Sequence, residues 1–165
     1  MAITTYKTDI PESFSNSELQ IFINLLTKQD KVRNPSIEKL YRCKYLSVCM
    51  VGDEIVSIGA TKPKTNSDFD PAKADLPHLS VNFRWEIGYC YTDPDHIGKG
   101  YSSSIVEKLI GKLPEINLMA STELRKDNSM LRILERNGFK QFGNVWKSTI
   151  HNGDLGLFLK FPVSE

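Results

Sequence analysis

The stretch EIGYCYTDPDHIGKGYSSSIVEKL, from Glu86 to Leu109, passes from an alternating aromatic pattern through a glycine turn to an amphipathic pattern. The alternation predicts a β-strand, and the spacing of apolar residues after Tyr101 predicts a helix. Gly98 and Gly100 lie between the two. Such a turn can connect a strand to a helix through positive φ angles, or it can hold a phosphate group on the free N–H groups of the first helical turn. The two glycines alone leave both interpretations open.

Composition and charge bound the class of protein. The chain has 165 residues, of which 40% are hydrophobic and 25% are charged, as in an ordinary soluble globular protein. This length predicts a single domain over residues 1–165. With 21 basic and 20 acidic residues, the net charge supports neither a nucleic-acid partner nor an anionic membrane.

Targeting signals and cysteines predict the cellular compartment. The start MAITTYKTDIPESF has no basic region followed by an apolar one, and no apolar run approaches the length of a membrane span. The three cysteines, Cys43, Cys49 and Cys90, form no CxxC pair and are typical of buried reduced thiols. We therefore expect a cytoplasmic protein that does not enter a membrane.

The first half of the chain predicts a strand, two helices and a hairpin. ITTYKT is rich in Thr and Tyr and alternates as a strand does. Ser15 and Glu18 form a capping-box pair, and the apolar residues that follow fall on one helical face: Leu19, Phe22, Ile23 and Leu26. Ser36 is the expected cap of a second, short helix. Two β-rich runs separated by residues 51–54 predict a hairpin.

The second half predicts a long loop followed by alternating elements. Residues 63–81 contain three prolines and predict a loop without regular structure. A strand is expected over residues 82–92, a helix over 102–112, a strand over 116–122, and a helix capped by Asp127 or Asn128 and stopped by Asn137-Gly138. A final hairpin is expected to turn at residues 151–154. This order predicts an α/β fold with a mixed sheet.

Two common nucleotide-binding motifs are excluded by the residues of the turn. A Walker loop requires GxxxxGK[ST], whereas Lys99 lies between the two glycines here. The dinucleotide-binding fingerprint requires three glycines after an early strand, whereas here the third glycine is absent and the turn comes late in the chain.

The region from Trp85 to Phe139 instead resembles the GNAT superfamily of acetyl-CoA-dependent N-acetyltransferases. Their pyrophosphate turn reads [QR]xxGx[GA], and the matching segment is IGKGYS, residues 97–102, preceded by YTDPDH. Ile97 stands where Gln or Arg is usual, and Ser102 where Gly or Ala is usual. The later segment DNSMLRILERNGF resembles the family's N-x-x-[AS] helix ending in GF. The resemblance implies a mixed, mostly antiparallel central sheet of about six or seven strands, flanked by about four helices and splayed at the cofactor site.

The same resemblance implies transfer of the acetyl group of acetyl-CoA to a primary amine by direct attack. The amides of the glycine turn would hold the pyrophosphate, and the strand before it would pair with the pantetheine arm. An amide near Tyr89 or Cys90 would face the thioester oxygen. The implied cofactor-binding residues are Tyr89, Cys90, Tyr91, Thr92, Ile97, Gly98, Lys99, Gly100, Tyr101, Ser102, Ser103 and Asn128.

Two catalytic residues are candidates. Glu86 lies in WEIGYC, which resembles the strand where the histone-acetylating branch places its general base, and burial of a carboxylate suits proton acceptance near neutrality. The alternative is a solvent-facing glutamate or an ion-pair partner of Arg84. Asn128 could hydrogen-bond the cofactor as the family's Asn does, although the spacing to Gly138 leaves Asp127 as an alternative, and either can be only a helix cap.

The general acid and the acceptor are less well specified. The position where many members place a Tyr acid holds Leu134 or Glu135, so Tyr89, Tyr91 and Tyr101 are replacements only if they do not serve in packing. Peptide N-termini, lysine side chains, polyamines and aminoglycosides all stay open as acceptors. Three acidic residues of the 63–81 loop could attract a cationic amine, or could simply be solvated: Asp68, Asp70 and Asp75.

Other functions are weighed against this one. The histidines His78, His96 and His151 lie in loops without carboxylates or cysteines at ligand spacing, so we expect no metal site. A non-catalytic acetyl-CoA-binding module of the same fold is the alternative function. The resemblance also leaves a homodimer open.

Overall fold

A computed structural model describes residues 2–149 and 153–162 of the chain. Seven strands are described: β1 Thr4–Asp9, β2 Tyr45–Val51, β3 Glu54–Pro63, β4 Trp85–Thr92, β5 Leu118–Glu123, β6 Lys140–Lys147 and β7 Asp154–Lys160. Four α-helices accompany them: α1 Asn16–Gln29, α2 Ile37–Tyr41, α3 Tyr101–Gly111 and α4 Ser129–Arg136. The strands form one sheet in the order β1-β2-β3-β4-β5-β7-β6.

The sheet is mixed and mostly antiparallel, as predicted. β1 pairs with β2, β2 with β3, β5 with β7 and β7 with β6 in antiparallel fashion. β4 and β5 are parallel, and their pairing covers Trp85↔Leu118 and Glu86↔Met119. Because a parallel pair needs a long crossover, the segment between these two strands contains the glycine turn and α3.

Local sequence signals set the first elements. The Ser15 hydroxyl accepts a hydrogen bond from the Glu18 N–H at 3.1 Å, and the Glu18 carboxylate accepts one from the Ser15 N–H at 2.8 Å, which confirms the capping box at the start of α1. Ser36 caps α2 by accepting from the Lys39 N–H at 3.2 Å. The hairpin between β2 and β3 turns at Gly52, whose φ of 62° is left-handed.

The described chain divides into two compact units. The first contains the residues up to Pro63 together with Ile87–Leu113, and the second contains Lys64–Glu86 together with the residues from Pro114 onward. The core of the first unit packs the apolar face of α1 against β2 and β3: Leu19, Phe22, Leu26, Leu46, Val48 and Ile58 are among its buried residues. The core of the second unit includes Phe69, Phe83, Met119, Trp146, Leu157 and Leu159.

Three expectations need correction or fall outside the description. Residues 63–81 contain more regular structure than predicted, because β3 extends to Pro63 and 3₁₀ helices form at Asn66–Phe69 and Pro77–Asn82. Pro77 starts the second of these helices, since its fixed φ suits a first helical position. β4 therefore begins at Trp85 and not at residue 82. The expected turn at 151–154 includes His151 and Asn152, which lie outside the described residues.

The cysteines are thiols, as predicted. Cys43 and Cys49 are buried in the first unit, and burial raises the pKa of the Cys43 thiol to about 12. Cys90, which was also expected to be buried, is only half-buried on β4, and its Sγ donates to the Gly88 carbonyl at 3.5 Å.

Candidate active site

The glycine turn joins β4 to α3 in the first unit. After Thr92, the Asp93 side chain accepts from the Asp95 N–H at 3.1 Å, and Pro94–His96 forms a 3₁₀ turn. Gly98 has φ 85° and Gly100 has φ 78°, and Gly100 is the N-cap residue of α3. A Cβ added at either glycine would meet no described atom within 4 Å. The turn therefore needs glycine for its conformation and also leaves space beside the backbone for a ligand.

A chain of hydroxyl groups ties this turn to the strands behind it. The Ser102 hydroxyl lies 2.7 Å from the Thr92 hydroxyl, which lies 2.7 Å from the Ser57 hydroxyl on β3. Ser57 donates to the Tyr91 carbonyl at 3.2 Å. Because each hydroxyl has one proton, the chain runs from Ser102 through Thr92 and Ser57 to that carbonyl. Ser102, which departs from the family pattern, thus serves to hold the first turn of α3 on β4.

The last turn of α1 contacts the segment that leads into the turn. Lys28 forms an ion pair with Asp93 at 3.1 Å, and the Gln29 Nε2 donates to the Cys90 carbonyl at 2.8 Å. The Asp95 N–H, and then Lys28, lower the pKa of the Asp93 carboxyl, while Asp93 raises the pKa of Lys28. Sequence reasoning missed Lys28 and Gln29, because no local pattern connects the end of α1 with a strand more than 60 residues away.

β4 contains a distortion that the sequence did not predict. Tyr89 has φ 57°. Among the described residues it is the only non-glycine residue that has a positive φ and lies in a strand. A tyrosine in the left-handed region costs about 1–3 kcal/mol, so surrounding contacts must stabilise it. Its side chain, like that of Tyr91, packs against the core of the first unit. Both side chains therefore contribute to packing, and their roles toward a cofactor stay predictions.

Glu86 lies at the start of β4, in the second unit, and is only 8% exposed. Its Oε1 accepts hydrogen bonds from both the N–H and the hydroxyl of Thr65, each at 2.8 Å. The expectation of a solvent-facing glutamate is therefore wrong, and the carboxylate is held by a partner that sequence reasoning did not find. The Arg84 guanidinium lies over the Trp85 ring at 5.1 Å.

Asn128 is the cap of α4 in the second unit. Its Oδ1 accepts from the Met130 N–H at 3.2 Å, and its Nδ2 donates to the Thr122 hydroxyl and the Glu123 carbonyl, both at 2.8 Å. Asp127 is exposed. Of the two candidates, Asn128 and not Asp127 is therefore the residue that caps α4. The role of Asn128 toward a cofactor stays a prediction.

The remaining candidates differ in exposure. Ile97 is 67% exposed, Lys99 is exposed, and Tyr101 and Ser103 are half-buried. Beside the turn, the Nδ1 of His96 is buried with no hydrogen-bond partner among the described residues. Such an unsatisfied buried atom is unusual, and it lies next to the residues expected to hold the cofactor.

The acidic loop does not present three solvated carboxylates. Asp68 is buried at 5% exposure and lies 3.6 Å from the Lys73 ammonium, whereas Asp70 and Asp75 are exposed. Attraction of a cationic amine by Asp68 is therefore not supported. Within residues 2–149 and 153–162, no group of three metal-ligating side chains is present. Over the same ranges, none of the helices is long and apolar enough to span a membrane.

Comparison with known proteins identifies the fold. No protein-family model and no curated protein matches the sequence. Among solved structures, the chain is similar to an acyl-CoA N-acyltransferase from Pseudomonas aeruginosa, with a TM-score of 0.70 and 10% identity over 96% of this chain and 99% of that one. Arabidopsis thaliana NAA60 in complex with acetyl-CoA gives 0.68 and 11%, with coverage of 96% and 99%. A GNAT-family acetyltransferase from Bacillus cereus gives 0.64 and 12%, with coverage of 98% and 99%. The chain has the GNAT fold.

Proposed function

From this fold, we propose that the protein is an N-acetyltransferase that transfers the acetyl group of acetyl-CoA to a primary amine. The observation that carries the proposal is the turn at Gly98 and Gly100. It opens α3 with two left-handed glycines and open space beside the backbone. The positive end of the α3 dipole and its free N–H groups favour an anion at this place.

The proposed cofactor contacts follow the turn and the strand before it. Amides from Gly98 to Ser103 bind the pyrophosphate, and Lys99 adds an exposed positive charge. Ile97 supplies no polar contact, and the Ser102 hydroxyl is engaged by Thr92. Phosphate capture therefore depends on the backbone. The pantetheine arm lies along Tyr89–Thr92, where Tyr89 changes the course of the strand.

The chemistry is acyl transfer by direct attack. The amine nitrogen forms a bond to the thioester carbon, and the carbonyl oxygen gains the negative charge, which a backbone N–H of Tyr89 or Cys90 stabilises. Collapse breaks the C–S bond, and coenzyme A leaves as the thiolate. Glu86 accepts the proton that the amine loses. The thiolate of coenzyme A is a good leaving group, so the mechanism does not require a tyrosine at Leu134 or Glu135.

The experiment combines cofactor binding with a panel of amines. Isothermal titration should show binding of acetyl-CoA, and thiol release should accelerate with at least one class among peptide N-termini, lysine side chains, polyamines and aminoglycosides. The absence of acetyl-CoA binding would refute the proposal. Tight binding without turnover on any amine would instead support the non-catalytic acetyl-CoA-binding module.

A further inference from the structure

A cavity lies in the first unit, between β1 and the C-terminal end of α3. Its volume is about 320 Å³, and it is lined by Tyr6, Thr8, Lys108, Gly111 and Lys112. Among these described lining residues two are basic and none is acidic. At a rise of about 1.5 Å per residue, Gly111 lies roughly 16 Å along α3 from Gly100. The cavity is therefore separate from the turn that is proposed to hold the pyrophosphate.

The two lysines of the cavity lie beside aromatic rings. The Lys108 Nζ is 4.9 Å from the centre of the Tyr6 ring, and the Lys112 Nζ is 5.7 Å from the centre of the Tyr45 ring. Because the lysines are four residues apart, they share one face of α3. In the part of the chain that the structure describes, neither ammonium group pairs with a carboxylate. Two positive charges without an acidic partner favour a ligand with two negative charges.

β1 adds a hydroxyl group and an aromatic ring to the cavity. The Thr8 hydroxyl lies 2.7 Å from the hydroxyl of Ser47, which is fully buried. When Ser47 donates in this pair, the Thr8 O–H is available to a ligand. Tyr6 is two residues from Thr8 on the same strand, so both side chains lie on one face of the sheet. Burial raises the pKa of the Tyr6 hydroxyl, which is therefore uncharged near neutral pH and does not repel an anion.

Gly111 leaves the cavity open where a side chain would otherwise enter it. It is the last residue of α3, and its φ is not positive. A Cβ added there would meet no described atom within 4 Å. Neither the backbone conformation nor packing in the described chain thus requires glycine, although glycine is less favourable than alanine in a helix. A ligand that approaches the end of α3 closely would account for the absence of a side chain.

We propose that this cavity binds a small organic phosphate, with the phosphate group held by Lys108 and Lys112 and the organic part against the Tyr6 ring. A phosphate monoester carries a charge of about −1.5 to −2 at neutral pH, which matches two ammonium groups. Lysine binds phosphate as a point charge, and the Thr8 hydroxyl can add a directional donor. The volume is at the small end of the range for small-molecule sites. The site is distinct from the proposed acetyl transfer and does not depend on it.

The competing explanation is that the lysines only complement the negative end of the α3 dipole. Both lie in or next to its last turn, where a positive charge is favourable. The same end of the helix disfavours an anion. Binding of a phosphate therefore requires both ammonium groups, whereas lysines that serve only the dipole would give no saturable binding at all.

The experiment titrates the ¹⁵N-labelled protein with phenyl phosphate and follows the backbone amides by two-dimensional NMR. We expect saturable shifts at Thr8 and Gly111 with a Kd of about 1 mM or lower. Lys108→Met and Lys112→Met should each raise the Kd by about tenfold or more, equivalent to 1.4 kcal/mol. Lys140→Met removes an exposed lysine of β6 in the second unit and should change the Kd by less than about twofold.

Gly111→Leu tests the open space with both lysines retained. The added side chain should fill the cavity and abolish the shifts, while the Tm is not lowered because leucine is the better helix former. A wild-type Kd in Gly111→Leu, an equal loss in Lys140→Met, or no saturable shift in the wild type would overturn the proposal. If Gly111→Leu does not fold, the two lysine variants decide the question.

Coenzyme A separates this site from the cofactor turn. With saturating coenzyme A present, the Kd for phenyl phosphate should change by less than about twofold. Displacement of phenyl phosphate by coenzyme A would place the phosphate at the cofactor turn and would overturn the separate site. Failure of the wild type to bind coenzyme A would overturn the proposed function and leave the phenyl phosphate result unaffected.

Discussion

The Glu86 carboxylate is buried in a strand, and Thr65 supplies both a backbone N–H and a hydroxyl to one of its oxygens. A buried carboxylate needs hydrogen-bond donors, and Thr65 supplies two of them. The pair also fixes the orientation of the carboxylate. A base with a fixed orientation is what proton transfer from an attacking amine requires.

Replacement of Glu86 by Gln tests the base directly. The Gln side chain has the same shape, and its Oε1 can still accept from Thr65, so the fold and the affinity for acetyl-CoA should be retained. Loss of the proton acceptor should lower kcat by about 10²–10³-fold and change the pH dependence of kcat. Thiol release across a pH series with the best amine measures both effects.

The matched control is Glu107→Gln, the same change at an exposed position on α3. It should leave kcat and the pH profile unchanged. An unaltered kcat and pH profile in Glu86→Gln would exclude Glu86 from the mechanism.

At this scale the sequence indicates Glu86 as a candidate and does not predict its surroundings. Glu86 stands out because it is a charge inside an apolar alternating strand. Thr65 lies 21 residues earlier, in a segment predicted as irregular loop, and nothing in its neighbourhood indicates a partner on β4. The choice between Asp127 and Asn128 was similarly open, because both residue types cap helices, and only the geometry of α4 distinguishes them.

At the scale of elements, the glycine turn depends on contacts at both ends. The Ser102–Thr92–Ser57 hydroxyl chain holds α3 to β4, and the α1 contacts hold the approach to the turn. These contacts restrain the turn, and a restrained turn lowers the entropy cost of ordering a loop on binding.

Gly100→Ala tests whether this turn binds the cofactor. The substitution introduces no clash, but it places a Cβ at φ 78°, which should lower the free energy of unfolding by about 1 kcal/mol. The same Cβ occupies the space where the pyrophosphate is proposed to approach the backbone. We therefore expect the Kd for acetyl-CoA to rise by about tenfold or more, equivalent to 1.4 kcal/mol.

Gly52→Ala separates strain from binding. Gly52 has φ 62° in the β2–β3 hairpin, and an added Cβ would lie 3.7 Å from the Ala2 Cβ, an ordinary contact. It should lose similar stability in chemical denaturation while binding acetyl-CoA as the wild type does. If Gly100→Ala binds acetyl-CoA no worse than Gly52→Ala, the turn is only a connection between β4 and α3.

Elements that depend on neighbouring residues in the sequence were predicted. Features that depend on contacts between distant residues were not. The capping box of α1, the cap of α2 and the β2–β3 hairpin each follow from residues within a few positions of one another. The left-handed Tyr89 has no such signal, because tyrosine normally favours regular strand geometry and the distortion is stabilised by packing in the first unit. The 3₁₀ helices at 66–69 and 77–82 were missed because proline-rich segments also occur in irregular loops.

Over its whole length, the chain shares the fold of the compared structures but very little of their sequence. Identities of 10–12% accompany TM-scores of 0.64–0.70 over nearly the full length of the compared chains. The order of elements can survive such divergence because it needs only the periodicity of apolar residues. A site needs particular side chains at particular places. Here the contacts of Lys28 with Asp93 and of Gln29 with the Cys90 carbonyl join residues that are far apart in the sequence. Function must therefore be argued from the site and not from the fold.

The binding of coenzyme A by the intact chain should be visible as a gain in stability. A ligand that binds only the folded state at 100 times its Kd contributes about 2.7 kcal/mol. For a chain of 165 residues, each kcal/mol raises the Tm by about 2–4 °C, so saturating acetyl-CoA should raise the Tm by roughly 5–10 °C. Scanning calorimetry with acetyl-CoA, coenzyme A and NAD measures the shift and its selectivity. NAD contains a pyrophosphate and an adenosine but lacks both the pantetheine arm and the 3′-phosphate of coenzyme A. A preference for coenzyme A over NAD therefore requires recognition of one of these two groups. Equal Tm shifts with all three ligands would mean that the site recognises only the adenosine and pyrophosphate that they share. An unchanged Tm with acetyl-CoA would contradict cofactor binding.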